Sequence, residues 1–183
     1  VRTALPRQQT LRALIDWSYQ LLNQTEQRAL RGLSVFSGGW TFEAAESVVG
    51  ADEALDGLSG LVNKSLVIVE EQEGKSRYRF LETIRQYAME KLVESGEAIA
   101  TRDRHLDFML GVMEYSPTRM FGMEDLELLD RIESEHDNLR AALEWATENH
   151  PATALKLAYS AGGFWTIRDY NAEAQFWCST ILG

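Results

Sequence analysis

Between residues 66 and 80 the apolar pattern changes period, and after residue 82 it changes back. Leu66-Val67-Ile68-Val69 is a continuous strand-forming run, Glu73-Gly74 supplies a turn able to take positive φ, and Arg77-Tyr78-Arg79-Phe80 alternates polar with apolar. This is the signature of a β-hairpin. On both sides of it the spacing is helical, so the chain must build one small hairpin into an otherwise helical frame.

The helices before the hairpin follow from the same counting. Gln8 to Leu22 carries Leu11, Leu14, Ile15, Leu21 and Leu22 at the spacing of one helical face, with Thr10 as a candidate cap. Asn23-Gln24 breaks that pattern, and a short helix starts at Thr25 with Glu26 in its first turn, where the helix dipole favours an acid. Ser34-Val35-Phe36 reads as a short extended piece, Ser37-Gly38-Gly39 as a turn, and Thr41 as the cap of a helix with Ala44, Ala45, Val48 and Val49 inward and Gly50 as its end. Asp52 to Asn63 reads as one helix with Leu55, Leu58, Leu61 and Val62 as its buried stripe. After the hairpin, Ile84, Tyr87, Ala88 and Leu92 share a helical face that Gly96 ends. Helices, a two-stranded wing and a closing helix describe a winged-helix domain over residues 1–96.

Residues 97–183 show no strand pattern. His105-Leu106, Phe108-Met109 and Val112-Met113 line a helix that stops before Pro117, and the helical period from Leu126 through Leu139, Leu143 and Trp145 runs on to Pro151. Ala154–Trp165 and Ala172–Leu182, joined by Arg168-Asp169-Tyr170-Asn171, read as a stacked helical hairpin. The predicted fold is therefore mainly α: a winged helix with a two-stranded wing, then an all-α, repeat-like (tetratricopeptide-like) segment that leaves an apolar edge at its C-terminus.

The charge is uneven in a way that fits two modules. Of a net −10, residues 1–96 contribute 11 Lys and Arg against 13 Asp and Glu, and residues 97–183 contribute 7 against 15. No apolar run approaches the roughly 18 residues that span a bilayer, and Val1-Arg2-Thr3-Ala4 is neither an initiator methionine nor a signal peptide, so a cytoplasmic piece of a larger protein is expected. Cys178 has no cysteine to pair with and is expected as buried filler.

Three stretches bring a family into view: Arg7-Gln8-Gln9-Thr10-Leu11-Arg12-Ala13-Leu14-Ile15-Asp16-Trp17-Ser18-Tyr19, Arg77-Tyr78-Arg79-Phe80-Leu81-Glu82-Thr83-Ile84-Arg85-Gln86-Tyr87-Ala88, and Glu135-His136-Asp137-Asn138-Leu139-Arg140-Ala141-Ala142-Leu143-Glu144-Trp145-Ala146. In this order they resemble the bacterial STAND-class regulatory ATPases, the AfsR- and LuxR-like transcriptional activators, in the region after the nucleotide-binding core. The resemblance implies a winged helix that packs on an upstream ATPase domain of the same protein, with ATP or ADP as that domain's ligand, and a helical array that receives a protein or small-molecule signal. Phe80-Leu81-Glu82 stands where related members carry a Met-His-Asp motif near the nucleotide, which makes Leu81 and Glu82 the nucleotide-proximal candidates. Leu81 offers no polar atom to a phosphate, so packing is its expected role. Arg77 and Arg79, with Leu81 and Glu82, form the expected docking edge.

No catalytic apparatus is expected in the chain itself, and no cofactor or metal. A phosphate-binding loop needs glycine before its Lys-Ser pair, but Lys64-Ser65 follows Asn63 on an apolar helical stretch. Glu133 and His136 have the spacing of a metal-binding pair but no second pair to complete a site, so a helix-surface or cap role is expected for the histidines. No histidine is placed to activate Cys178, and the tryptophans and phenylalanines read as core packing. Asp52, Glu53 and Asp56 on the helix that would enter a DNA groove argue against DNA contact, even with Arg77 and Arg79 on the wing. The alternative is a winged-helix DNA-binding regulator with a helical effector segment.

Overall fold

The computed structural model describes residues 6–72, 75–114 and 126–183. The predicted Glu73-Gly74 turn, the helix end before Pro117 and the opening residues lie outside them. Contacts divide the chain into two compact units, one made of the residues up to Val35 with Trp40–Thr101, the other of Phe36–Gly39 with Arg102–Gly183. The architecture is mainly α with one antiparallel two-stranded sheet, as the pattern of periods predicts.

The first unit opens with α1 (Pro6–Gln20) and α2 (Gln24–Leu33). Asn23, read above as a break, is the N-cap of α2. Its side chain accepts from the Glu26 amide at 2.9 Å, and the Glu26 carboxylate accepts from the Asn23 amide at 2.8 Å, so two otherwise orphaned amides are satisfied reciprocally. Thr10 lies inside α1 rather than at its start. The apolar spacing of α1 is real but faces outward: Leu11, Leu14, Trp17 and Leu21 are exposed, and only Leu22 is fully buried.

Thr41 caps α3 (Phe42–Val49), and its hydroxyl accepts from the Ala44 amide. The expected helix over 52–63 is present with one difference. Glu53–Gly57 forms a single π-helical turn, followed by α4 (Leu58–Asn63). The wider turn shifts the phase of the residues before it, so Ala54 is buried, whereas Leu55, expected inward, is 64% exposed. Close packing against α2 accompanies the shift. A Cβ on Gly57 would lie 2.5 Å from the Ala29 Cβ, and one on Gly60 would overlap the Glu26 carboxylate.

The hairpin pairs β1 (Ile68–Gln72) with β2 (Lys75–Arg79), Val69 opposite Tyr78. Leu66 and Val67, read as strand, are buried residues that lead into it. On the other edge of β2, Trp40 exchanges both backbone hydrogen bonds with Tyr78 at 2.8 Å each, and its ring packs 4.8 Å from that of Phe80. In place of the expected extended piece at Ser34–Phe36 there is a turn at Ser34–Val35, and an extended bridge occurs instead at Trp40. Then α5 (Glu82–Glu94) buries the four predicted residues Ile84, Tyr87, Ala88 and Leu92. The Tyr87 hydroxyl donates to Asp16 on α1 at 2.6 Å; burial first, and that bond second, raise its pKa.

The second unit takes in most of α6 (Ala98–Glu114), then α7 (Leu126–Ser134), α8 (His136–Asn149), α9 (Pro151–Ile167) and α10 (Asn171–Leu182). Its core is Met109, Met113, Ile132, Leu139, Leu143, Leu157, Phe164 and Trp165, all essentially without solvent contact. The helical period read as continuous from Leu126 to Pro151 is interrupted between Ser134 and His136. His136, expected on a helix surface or at a cap, is buried; its Nε2 lies 3.1 Å from Glu173, and the Phe164 and Tyr170 rings flank it. Arg140 also holds Glu173, through two bonds of 2.9 and 2.7 Å. Cys178, expected as filler, is exposed, because Trp177 is the neighbour that turns inward on α10.

Candidate nucleic-acid interface

In a helix-turn-helix unit the second helix of the pair is the one presented to a groove, and a wing lies beside it. Here those elements are the helix over 53–63 and the β1–β2 hairpin. The helix is divided in character. Its N-terminal half exposes Asp52, Leu55 and Asp56, while its C-terminal end exposes Ser59, Asn63, Lys64 and Ser65. Ser59 and Asn63 are four residues apart and so share a face. They are residue types that hydrogen-bond base edges, and attention to the three acids alone overlooks them. The sequence signal that finds them is a polar i, i+4 pair breaking an apolar helix.

The cations of this surface already have acidic neighbours. Lys64 pairs with Glu26, and Arg28, 57% exposed, stands 3.6 Å from Glu53. Burial raises the pKa of Glu26, but hydrogen bonds from Lys64 and from the Asn23 amide outweigh it, and the carboxyl titrates below its ordinary value. The Arg28 contact offsets part of the Glu53 charge, which leaves Asp52 and Asp56 as the acids facing outward.

The four residues expected at a docking edge lie in two places. Arg77 is buried within the wing, and Arg79 pairs with Glu70 at 2.6 Å. Leu81 is half exposed at the N-cap of α5 and makes no side-chain cap bond. Glu82 accepts two bonds of 2.8 Å from Arg85 and one of 2.9 Å from Gln86; chiefly the Arg85 bond lowers its pKa, so it stays ionised. The corner at 81–82 is thus an apolar side chain beside a carboxylate neutralised within its own helix.

Elsewhere, Glu133 and His136 are paired within the structure rather than gathered at one point. Glu133 accepts from Tyr170 at 2.5 Å, away from His136, which is turned to Glu173. Among the described residues no cluster of His, Cys, Asp and Glu is arranged to hold a metal ion. No described helix is long and apolar enough to cross a membrane.

Comparison with known proteins fits this geometry. Residues 22–93 match the family described as the winged helix-turn-helix domain, and over this stretch the structure has helices followed by a two-stranded wing and a closing helix. Over its full length the chain is 43% identical to a protein of Mycobacterium tuberculosis H37Rv provisionally named HTH-type transcriptional regulator Rv0890c, and equally to its Mycobacterium bovis counterpart Mb0914c. Over 108 residues, 56% of the chain, it is 42% identical to the uncharacterized M. tuberculosis protein Rv0894, covering 28% of that protein. The chain spans only 21% of the length of the first two relatives. No solved structure matches it. These matches overturn the expectation, drawn from Asp52, Glu53 and Asp56, that DNA contact is disfavoured: a winged helix-turn-helix domain in relatives named for transcriptional regulation points to DNA binding. A count of the acids does not include the Arg28–Glu53 contact or the exposed Ser59–Asn63 face.

Proposed function

We propose that the chain is the winged-helix and helical segment of a cytoplasmic transcriptional regulator, without catalysis of its own, and that it contacts DNA through the C-terminal end of the helix over 53–63 with the wing alongside. The match of residues 22–93 to the winged helix-turn-helix domain carries this reading. Ser59 and Asn63 reach base edges, and Lys64 and Arg28 exchange their carboxylate partners for phosphates. With Asp52 and Asp56 nearby, the affinity is low and rests on few phosphate contacts. Two such contacts give about tenfold weaker binding between about 50 and about 200 mM salt. Fluorescence anisotropy with a mixed-sequence duplex tests this: Asn63→Ala and Lys64→Ala should each weaken binding, and the absence of any salt-dependent binding at about 50 mM would sink the proposal.

A finer reading follows the resemblance to STAND-class ATPases and is favoured by the small share of its relatives that the chain spans, which leaves room for a nucleotide-binding domain. In it the winged helix also reports nucleotide state, with Leu81 and Glu82 against the nucleotide domain and a tetratricopeptide-like helical segment carrying a signal. An environment-sensitive dye at Leu81→Cys in the full-length protein should respond differently to ATP and ADP. Identical spectra with either nucleotide would remove this reading.

A further inference from the structure

Helix α1 faces the opposite way from a helix that closes a core. At about 100° per residue, Leu11, Trp17, Ser18 and Leu21 fall within about 60° of Leu14, whereas Arg12, Asp16 and Tyr19 fall within about 40° of the opposite direction. It is this polar side that is held to the domain. The Asp16 carboxylate accepts from the Tyr87 hydroxyl at 2.6 Å, Arg12 pairs with Glu90, and Arg31 donates to the Tyr19 hydroxyl at 3.2 Å. The Lys91 ammonium lies over the rings of Tyr19 and Tyr87, at 6.0 and 5.4 Å. The apolar side is left to solvent: Leu14, Trp17 and Leu21 are 56, 61 and 57% exposed. Leu21, one residue past the helix, continues its winding through an amide bond to the Trp17 carbonyl.

Whatever covers this stripe must match its chemistry. The charged residues between positions 10 and 21 are Arg12 and Asp16, both on the far side, so the stripe offers nothing to a charged partner. Helices that lie on membranes carry lysine and arginine on their polar side, but here that side is turned to α5, in a chain of net charge −10. The stripe does match itself. Leu14, Trp17 and Leu21 have the spacing of a paired helical seam, and a two-fold axis near Trp17 and Ser18 sets Leu14 of each copy against Leu21 of the other, with each indole over the small Ser18 of the other copy. We infer that two copies of this chain pair through α1, antiparallel, along the Leu14–Trp17–Leu21 stripe. These side chains, already half covered, fall short of the about 800 Å² per partner of a standard interface, so the pairing is weak, in the micromolar range. A dimer presents two helix-turn-helix units to one duplex and doubles the few phosphate contacts of each. That consequence rests on the DNA-binding reading above; the pairing itself does not.

Sedimentation equilibrium of the full chain from about 1 to about 500 μM, concentrations that bracket this range, tests the pairing. The wild-type chain should pass from monomer to dimer. Leu14→Lys and Trp17→Gln should each weaken the dimer at least about tenfold, the effect of losing a central apolar anchor, with circular dichroism unchanged because both positions are exposed. Leu14→Lys combined with Leu21→Glu sets opposite charges against each other across the axis and should pair at least about threefold more tightly than Leu14→Lys alone. Phe176→Gln, on an exposed position of α10, is the control and should leave the dimer as it is. A chain that stays monomeric up to about 500 μM, a dimer that depends on Phe176 but not on Leu14 and Trp17, or a double variant that gains nothing overturns the proposal. Self-association without binding to duplex DNA leaves the pairing standing and removes the DNA-binding reading; duplex binding by a chain that stays monomeric does the reverse.

Discussion

Acidification should destabilise the helical segment through His105. This side chain is 3% exposed, packs edge-on against Phe36, and has no hydrogen-bond partner for Nε2 among the described residues. Burial lowers its pKa from the ordinary 6.5 to about 4. Above pH 6.5 the imidazole is neutral in both folded and unfolded chains, so it adds no pH dependence. Between 6.5 and about 4 the unfolded chain takes a proton that the folded chain refuses, and stability falls as pH falls. One pH unit in this window is worth about 1.4 kcal/mol, so about 2 kcal/mol is lost between pH 6.5 and 5, out of the roughly 5–15 kcal/mol typical of a domain. Urea unfolding at fixed pH values from 7 to 5, followed by far-ultraviolet circular dichroism, reads the slope. His105→Leu should remove most of it while keeping an apolar side chain in the same space. If the variant loses stability with pH as steeply as the wild-type chain, the burial argument for His105 is wrong.

Two further predictions rest on the packing of α2. Gly57→Ala gains about 1 kcal/mol in helix propensity but forces a methyl group into Ala29, at about 1–3 kcal/mol for overpacking, so a net loss of up to about 2 kcal/mol should appear as a lower midpoint in thermal melting. Glu26→Ala removes half of the capping box and leaves Lys64 without its partner. It should lower stability by about 1–2 kcal/mol at pH 7, with the difference from wild type shrinking as pH falls below 4.5, since the depressed pKa of Glu26 makes its contribution one that acid removes.

The elements whose burial is set locally were legible in the sequence. Ile84, Tyr87, Ala88 and Leu92 lie inside because a regular helix at 3.6 residues per turn brings them to one side, and the hairpin was visible because its period is two. Leu55 was misplaced because the same counting assumes a regular helix, and a π turn breaks the assumption without any marker in composition. The stripe on α1 was read correctly as a stripe, but periodicity does not say whether an apolar face points inward, and Leu14 and Trp17 point out. In the sequence Asn138 stands out only as part of the third stretch that carries the family resemblance; its side chain bonds the Ser37 amide and the Gly39 carbonyl, and nothing in a local window reports hydrogen bonds spanning that separation. Ser59 and Asn63 are hidden for a different reason: net charge taken over the whole helix does not show that its two halves differ.

The π turn at Glu53–Gly57 also has a consequence for how such a domain can diverge. A π turn is one residue too many for an α-helix, so deleting a single residue within it would restore regular winding without disturbing α4 or its packing on α2. The wider winding of the π turn already takes up its extra residue, so the leading and trailing segments would keep their places about the helix axis after the deletion. Asp52 would keep its outward aim, and Ser59 and Asn63 would stay where they are. One codon could thus be gained or lost at this turn while both halves of the helix kept their faces.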